Sequence, residues 1–397
     1  MSDHYIFAKI VQQFLPDFKQ HHALSPQQAS TCQNILNCHT AKLGGLNYKC
    51  DHCQQHTPRY HSCRHRHCPQ CQQKASQDWV ESRMADVLPL SYFHLVFTLP
   101  HELNGWAQLH PDVIYQLLFK CVWDTLNGYS KNNKQLQGQL GMISVLHSWG
   151  QSLNQHIHLH CLIPGGAVKD DGTFNVSRRD YLYPHRVLAK LFRGKMVSGL
   201  RKAWKSGQLH RIKQAQVDDT LNTLMSKDWV INTKPHIKKP ETVVRYLGRY
   251  TYRSAISLSR IQSVTDTHVN FQWLDYRDNH KKLMHLPGEE FLRRFLLHVL
   301  PKGFMRIRHY GYLANRVRVK QLEKIRKCLK VAKAIVVQPV KSGYSPATQA
   351  GATTSLTQGV TQGASDILNA QSPEHCPKCK IGFLRFMGEI ASERERR

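Results

Sequence analysis

The chain has 397 residues, 41% of them apolar, which is enough for more than one domain with a buried core and excludes disorder throughout. Lysine and arginine total 55 against 27 aspartates and glutamates, and the resulting formal charge of +28 favours a polyanionic partner, nucleic acid first. No apolar run reaches the roughly 18 residues of a membrane span, and the opening MSDHYIFAKIVQQF lacks a charged-then-apolar leader pattern. These features argue for no membrane partner and for a cytoplasmic, nucleoid-associated protein. The 12 cysteines and 25 histidines point to metal binding, because thiols in a reducing compartment bind metal more often than they pair.

In chain order, Tyr5, Ile6, Ile10, Phe14 and Leu15 recur at helical spacing within the first 30 residues. A Cys/His-dense block follows from Cys32 to Cys71, then a helix expected over 74–86. Residues 92–98, YFHLVFT, are aromatic and β-branched and read as a buried strand opening a new domain. An amphipathic helix is expected over 108–126, and strands over 142–149 and 156–163 joined by a polar turn. From 181 to 217 there are nine lysines or arginines and no acid, opposite an apolar stripe of Leu188, Leu191, Phe192, Val197 and Leu200. Residues 243–252 suit a helix, and Val269, Phe271 and Trp273 alternate as in a half-buried strand. Residues 301–341 hold twelve basic residues against Glu323 alone, a bias that suits phosphate contacts. After Ser345 the small, polar sequence cannot build a core and reads as a flexible linker before a tail containing Cys376 and Cys379.

Cys50 and Cys53, fourteen residues ahead of Cys68 and Cys71, form two C-x-x-C pairs whose spacing can close four thiolates around Zn²⁺. Four thiolates leave no position for water, so the expected site is structural. Cys63, His65 and His67 lie in the intervening loop and could exchange as ligands or form a second site, as could Cys38 with His39. The loop cations Arg59, Arg64 and Arg66 could contact phosphate.

His156, His158 and His160 alternate with Ile157 and Leu159, so on a strand the imidazoles share one face while the apolar residues enter the core. An antiparallel turn near Leu153 brings His147 opposite His158 and His160. Three imidazoles on one face suit a metal with open positions, with His147 as third ligand and His156 or Gln151 as the alternatives. Downstream, Tyr246 and Tyr250 stand four apart on one expected helix face, flanked by Arg245, Arg249 and Arg253, which suits a phosphate site.

His158-Leu159-His160 with Tyr246-x-x-x-Tyr250 resembles the two-tyrosine HUH nucleases, and more narrowly the transposases of rolling-circle insertion sequences of the IS91 type. The likeness extends through Ser62-Cys63-Arg64, His67-Cys68-Pro69, residues 93–100, residues 146–151, residues 246–251, residues 297–301 and residues 306–311, about 30 to 320 in all. It implies an α+β fold, an HUH-type antiparallel sheet flanked by helices, preceded by a zinc-ribbon-like domain. The implied division is 1–80 for the N-terminal helix and zinc-binding domain and 81–310 for the HUH domain. A basic helical segment follows over 311–344, then a linker over 345–372 and the tail over 373–397.

The resemblance further implies that His158 and His160, with a third polar ligand, hold Mg²⁺ or Mn²⁺ against a scissile phosphate, while Zn²⁺ occupies the cysteine cluster. Tyr246 and Tyr250 would cleave and rejoin single-stranded DNA at the element's ends and target through 5′-phosphotyrosine linkages. Arg245, Arg249, Arg253, Arg306 and Arg308 would bind DNA. A plasmid replication or mobilisation nuclease would share this chemistry. The residues alone also admit a metal-dependent hydrolase or a non-catalytic zinc-ribbon regulator. The tail's single C-x-x-C leaves a second zinc site incomplete unless Cys328 or His375 contributes.

Overall fold

A computed structural model describes residues 5–177, 184–237, 242–243, 248, 254–330, 374–393 and 395, apart from the side chains of 73–77 and 234–236. Tyr246, Tyr250, Arg245, Arg249 and Arg253 lie outside the described residues. The chain divides into two units, Met1–Leu36 with Arg64–Val337, and Asn37–Cys63 with Gln338–Arg397. Residues 37–63 and the described tail residues 374–393 thus share one unit.

Among the described residues, the smaller unit carries a three-stranded antiparallel sheet. Strands β1 (Gly45–Cys50) and β2 (His56–Tyr60) form a hairpin, and the last strand of the chain, β13 (Leu384–Ile390), pairs along the other edge of β1. Cys50, Cys376 and Leu384 are buried together beneath it.

In the larger unit, helices α1 (Ile6–His21) and α2 (Pro26–Asn37) precede α3 (Pro69–Met84). The α3 helix begins earlier than its apolar pattern suggests because Pro69, whose φ is preset and whose missing N–H costs nothing there, occupies its first turn. The strand β3 (Tyr92–Thr98) follows, then α4 (Asn104–Leu109) and α5 (Pro111–Asn132), with Pro111 starting the second of these. The long antiparallel pair β4 (Gln139–Trp149) and β5 (Gln155–Pro164) comes next, then β6 (Gly166–Val168) and β7 (Phe174–Val176). After α6 (His185–Lys205) and α7 (Gln214–Ser226) comes β8 (Ile231–Ile237), and β12 (Ile307–Gly311) returns to the same sheet. The strand order is β7-β6-β4-β5-β3-β8, with β12 also pairing β4.

Alternation sorts the sheet's residues. Phe93, Leu95, Phe97, Leu146, Ile157, Leu159 and Cys161 enter one core with Leu118 and Phe119 of α5 and Leu188 and Phe192 of α6. The other face of β3, β4 and β5 carries histidines. Gly311 closes β12 at φ 59°, and a Cβ there would lie 1.6 Å from the Leu140 carbonyl oxygen, so only glycine fits.

A second sheet of β9 (Ile261–Val264), β10 (His268–Asp275) and β11 (His280–Pro287) leads into α8 (Gly288–Leu296). Phe7 of α1 packs 4.7 Å from Phe295 of α8, ring centre to ring centre. A last helix of the unit, α9 (Arg318–Cys328), carries much of the second basic segment. The acid-free stretch after 181 is not one helix: α6 ends at Lys205 and α7 begins at Gln214. Leu191, placed in the apolar stripe by periodicity, is exposed, whereas Leu188, Phe192, Val197 and Leu200 are buried.

Candidate metal centre

The β4–β5 register sets His147 directly opposite His158, and on the other side of β5 His158 faces Thr98 and His160 faces Val96. These pairings put His147, His158 and His160 on one sheet face, where their ligand nitrogens lie within 4.8 Å of one another. Adjacent strands bring directly opposed side chains within about 5 Å, so the register alone accounts for the convergence. Among the described residues, no carboxylate belongs to this group.

Each ring is held. His158 donates Nδ1–H to the His156 carbonyl at 2.8 Å, which leaves Nε2 as its lone-pair nitrogen. Burial pushes the His158 imidazole down to about 4, so it is neutral and able to coordinate at pH 7. His147 stacks on Trp149 with 4.6 Å between ring centres. His160 bonds His94 of β3, Nδ1 to Nε2, at 3.0 Å.

The β4–β5 turn that aligns these strands is clamped from outside. Leu153 adopts φ 62° there. Its carbonyl accepts from Nε2 of His298 at 3.0 Å, and the Ser152 carbonyl accepts from Arg294 at 3.0 Å. Nδ1 of His298 in turn accepts from the Ser148 hydroxyl at 3.2 Å. Burial drives His298 down to about 4, consistent with a ring that uses both nitrogens while neutral. Of the alternative ligands, His156 is exposed, and Gln151 donates to the Tyr276 hydroxyl at 3.0 Å and accepts, through its carbonyl, from Arg260.

The cysteines assort differently from their sequence spacing. Cys50, Cys53, Cys376 and Cys379 present sulfurs within 4.8 Å of one another. Cys68 and Cys71 do not belong to that group, so the single site expected from Cys50, Cys53, Cys68 and Cys71 is not formed. Two C-x-x-C pairs state what each can bind with, and nothing in fourteen intervening residues states with which partner. Cys328 is exposed at the end of α9, the His375 ring lies tilted 4.5 Å from that of Phe383, and neither belongs to the group that completes the tail pair. His67 accepts instead from the Leu300 amide at 3.2 Å.

Four arginines expected to contact phosphate have protein partners or are buried. Arg306 is 6% exposed, too buried for a DNA-facing cation. Arg308 is half-buried, its guanidinium 4.1 Å from the centre of the Phe119 ring. Arg66 donates to the carbonyls of Pro301 and Phe304, and Arg59 pairs with Glu374 at 2.7 Å. Exposed cations lie instead on α6, including Arg186, Lys190, Lys195, Arg201 and Lys202, and around α9, including Arg316, Lys320 and Lys324. His94, Ser148, Arg294 and His298 were assigned no role from sequence, because a fully buried strand and a helix end give no periodic signal for a supporting hydrogen bond.

A family model described as "Transposase zinc-binding domain" matches residues 10–99, and one described as "Putative transposase" matches residues 141–321, the span that carries the histidine triad. The chain is 41% identical over 319 residues to "Putative transposase y4qJ" of Sinorhizobium fredii (strain NBRC 101917 / NGR234), covering 78% of this chain and 80% of that protein. It is 28% identical over 321 residues to "Transposase for insertion sequence element IS801" of Pseudomonas savastanoi pv. phaseolicola, covering 77% and 75%. The chain thus belongs to the IS91-type transposases, with an N-terminal zinc-binding domain ahead of an α+β transposase domain.

Proposed function

We propose that this transposase moves its element by cutting and rejoining single-stranded DNA through 5′-phosphotyrosine linkages. The observation that carries the proposal is the convergence of His147, His158 and His160 on one sheet face. Three converging imidazoles fit a divalent cation that leaves positions open for phosphate oxygens, and imidazole donors favour Mn²⁺ over Mg²⁺. A cation so held would polarise a phosphate oxygen and make the phosphorus more electrophilic.

Within this reading Tyr246 or Tyr250 is the nucleophile. The phenolic oxygen forms a bond to phosphorus as the bond to the 3′ oxygen breaks, the phenol gives up its proton, and the 3′ oxygen leaves as a hydroxyl. A phenol with an ordinary pKa of about 10 needs cationic neighbours to react as phenolate, which Arg245, Arg249 and Arg253 would supply. The phosphodiester energy stays in the tyrosine linkage, so the second tyrosine can transfer the strand without hydrolysis or a nucleotide cofactor. The exposed cations of α6 and α9 suit sequence-independent contacts to the DNA backbone. This activity places the protein on DNA in the cytoplasm, at the nucleoid.

The test is metal-dependent nicking of a single-stranded oligonucleotide carrying the element's end. His158→Ala and His160→Ala should each reduce nicking at least about 100-fold, the scale of losing several kcal/mol of charge stabilisation. Undiminished nicking in both variants would remove the histidine site from the chemistry.

A further inference from the structure

We propose that Cys50, Cys53, Cys376 and Cys379 form a single Zn²⁺ site that clips the C-terminal tail onto the N-terminal hairpin. Half of its ligands lie beyond the residues that either family model matches. The distances suit four thiolates around one ion. Sulfurs at about 2.3 Å from zinc in a tetrahedron stand about 3.8 Å apart, and Cys50 Sγ lies 3.6 Å from Cys379 Sγ while Cys53 Sγ lies 3.8 Å from Cys376 Sγ. All four cysteines are free thiols.

The two halves are built alike. The Cys53 amide donates to Cys50 Sγ at 3.4 Å, and the Gly382 amide donates to Cys379 Sγ at 3.5 Å, the knuckle arrangement that stabilises thiolates. Gly382 is needed for the approach, since a Cβ there would lie 2.7 Å from Cys50 Sγ and 2.5 Å from the His52 Cβ.

The clip is reinforced beside the sulfurs. The Phe383 amide donates to the Asp51 carboxylate at 2.7 Å, and the Asp51 amide donates to the Phe383 carbonyl at 3.0 Å. β13 then runs along β1 from Cys50↔Leu384 to Gly45↔Ile390. A two-stranded ribbon is marginal in water, so the tail supplies both the third strand and half the metal site, and metal loading and tail docking become one equilibrium.

The experiment measures bound zinc per full-length chain in the wild type, Cys376→Ser/Cys379→Ser, Cys50→Ser/Cys53→Ser and the variant carrying all four changes. Each double variant should lose one equivalent, and the quadruple variant should lose that same single equivalent. Unchanged zinc in the tail variant, or a loss of two equivalents in the quadruple variant, would overturn the shared site. Hydrogen exchange guards against general misfolding: amides of 384–390 should lose protection in the tail variant while those of 157–162 keep theirs. Retained protection of 384–390 without zinc would show that strand pairing alone holds the tail and overturn the clip.

Discussion

His94 and His160 meet through their ring edges, with 5.2 Å between ring centres, 9° between ring planes and a 3.0 Å bond from ring nitrogen to ring nitrogen. One ring must donate and the other accept. When His160 offers Nε2 to a metal, its Nδ1–H donates to Nε2 of His94, and the buried His94 fixes both tautomer and ring angle. His94→Ala should therefore weaken Mn²⁺ binding about 10- to 100-fold, the usual cost of losing such an outer partner. His94→Gln, which retains an acceptor, should recover part of it. Titration of Mn²⁺ followed by calorimetry checks both, and equal affinity in wild type and His94→Ala would show that the contact is packing only.

Acid should loosen the protein through histidines held neutral away from the triad. Burial lowers His298 and His309 from an ordinary 6.5 to about 4. The unfolded chain therefore binds protons that the folded chain refuses, so their contribution is complete above pH 6.5 and is lost as pH falls toward 4. The urea midpoint should fall across that window, and His298→Gln should make the fall shallower. An identical pH profile for the variant would contradict the assignment.

Salt dependence should separate exposed cations from buried ones. Neutralising Arg316, Lys320, Lys324 and Lys330, all exposed, should reduce the log–log salt slope of single-strand binding by up to about 3, at roughly 0.7 per phosphate contact. Arg306→Met alters a buried guanidinium and should change the unfolding midpoint while leaving the slope intact. A changed slope in Arg306→Met with none in the quadruple variant would reverse the assignment.

Removing the turn clamp should act on geometry rather than on coordination itself. Arg294→Ala deletes the donor to the Ser152 carbonyl and the pairing with Glu290 at 2.6 Å. Nicking should fall about 10-fold or more, because small misplacements of a reacting site cost that much, with the folded fraction at 25 °C unchanged. Full activity would show that the β4–β5 hairpin needs no external support.

Much of the transposase sheet could be read from residues because alternation is local. The run from His156 to His160 fixes which side chains share a face, and Ile157 and Leu159 are fully buried on the other. His147 opposite His158 follows from turn position alone. The cysteine pairing was not legible, since Cys50 and Cys376 are brought together by β1–β13 pairing across more than 300 residues. Nor was the direction of Arg306, because charge counts do not tell which side of an irregular segment faces inward.

The central claim is that Tyr246 and Tyr250 take up the DNA phosphate. Incubating the protein with labelled single-stranded DNA and Mn²⁺, denaturing it, and sequencing the DNA-linked peptide by mass spectrometry tests that claim most directly. The account predicts a covalent adduct on Tyr246 or Tyr250 that disappears in the Tyr246→Phe/Tyr250→Phe variant. An adduct on another residue, or strand cleavage with no adduct at all, would contradict it.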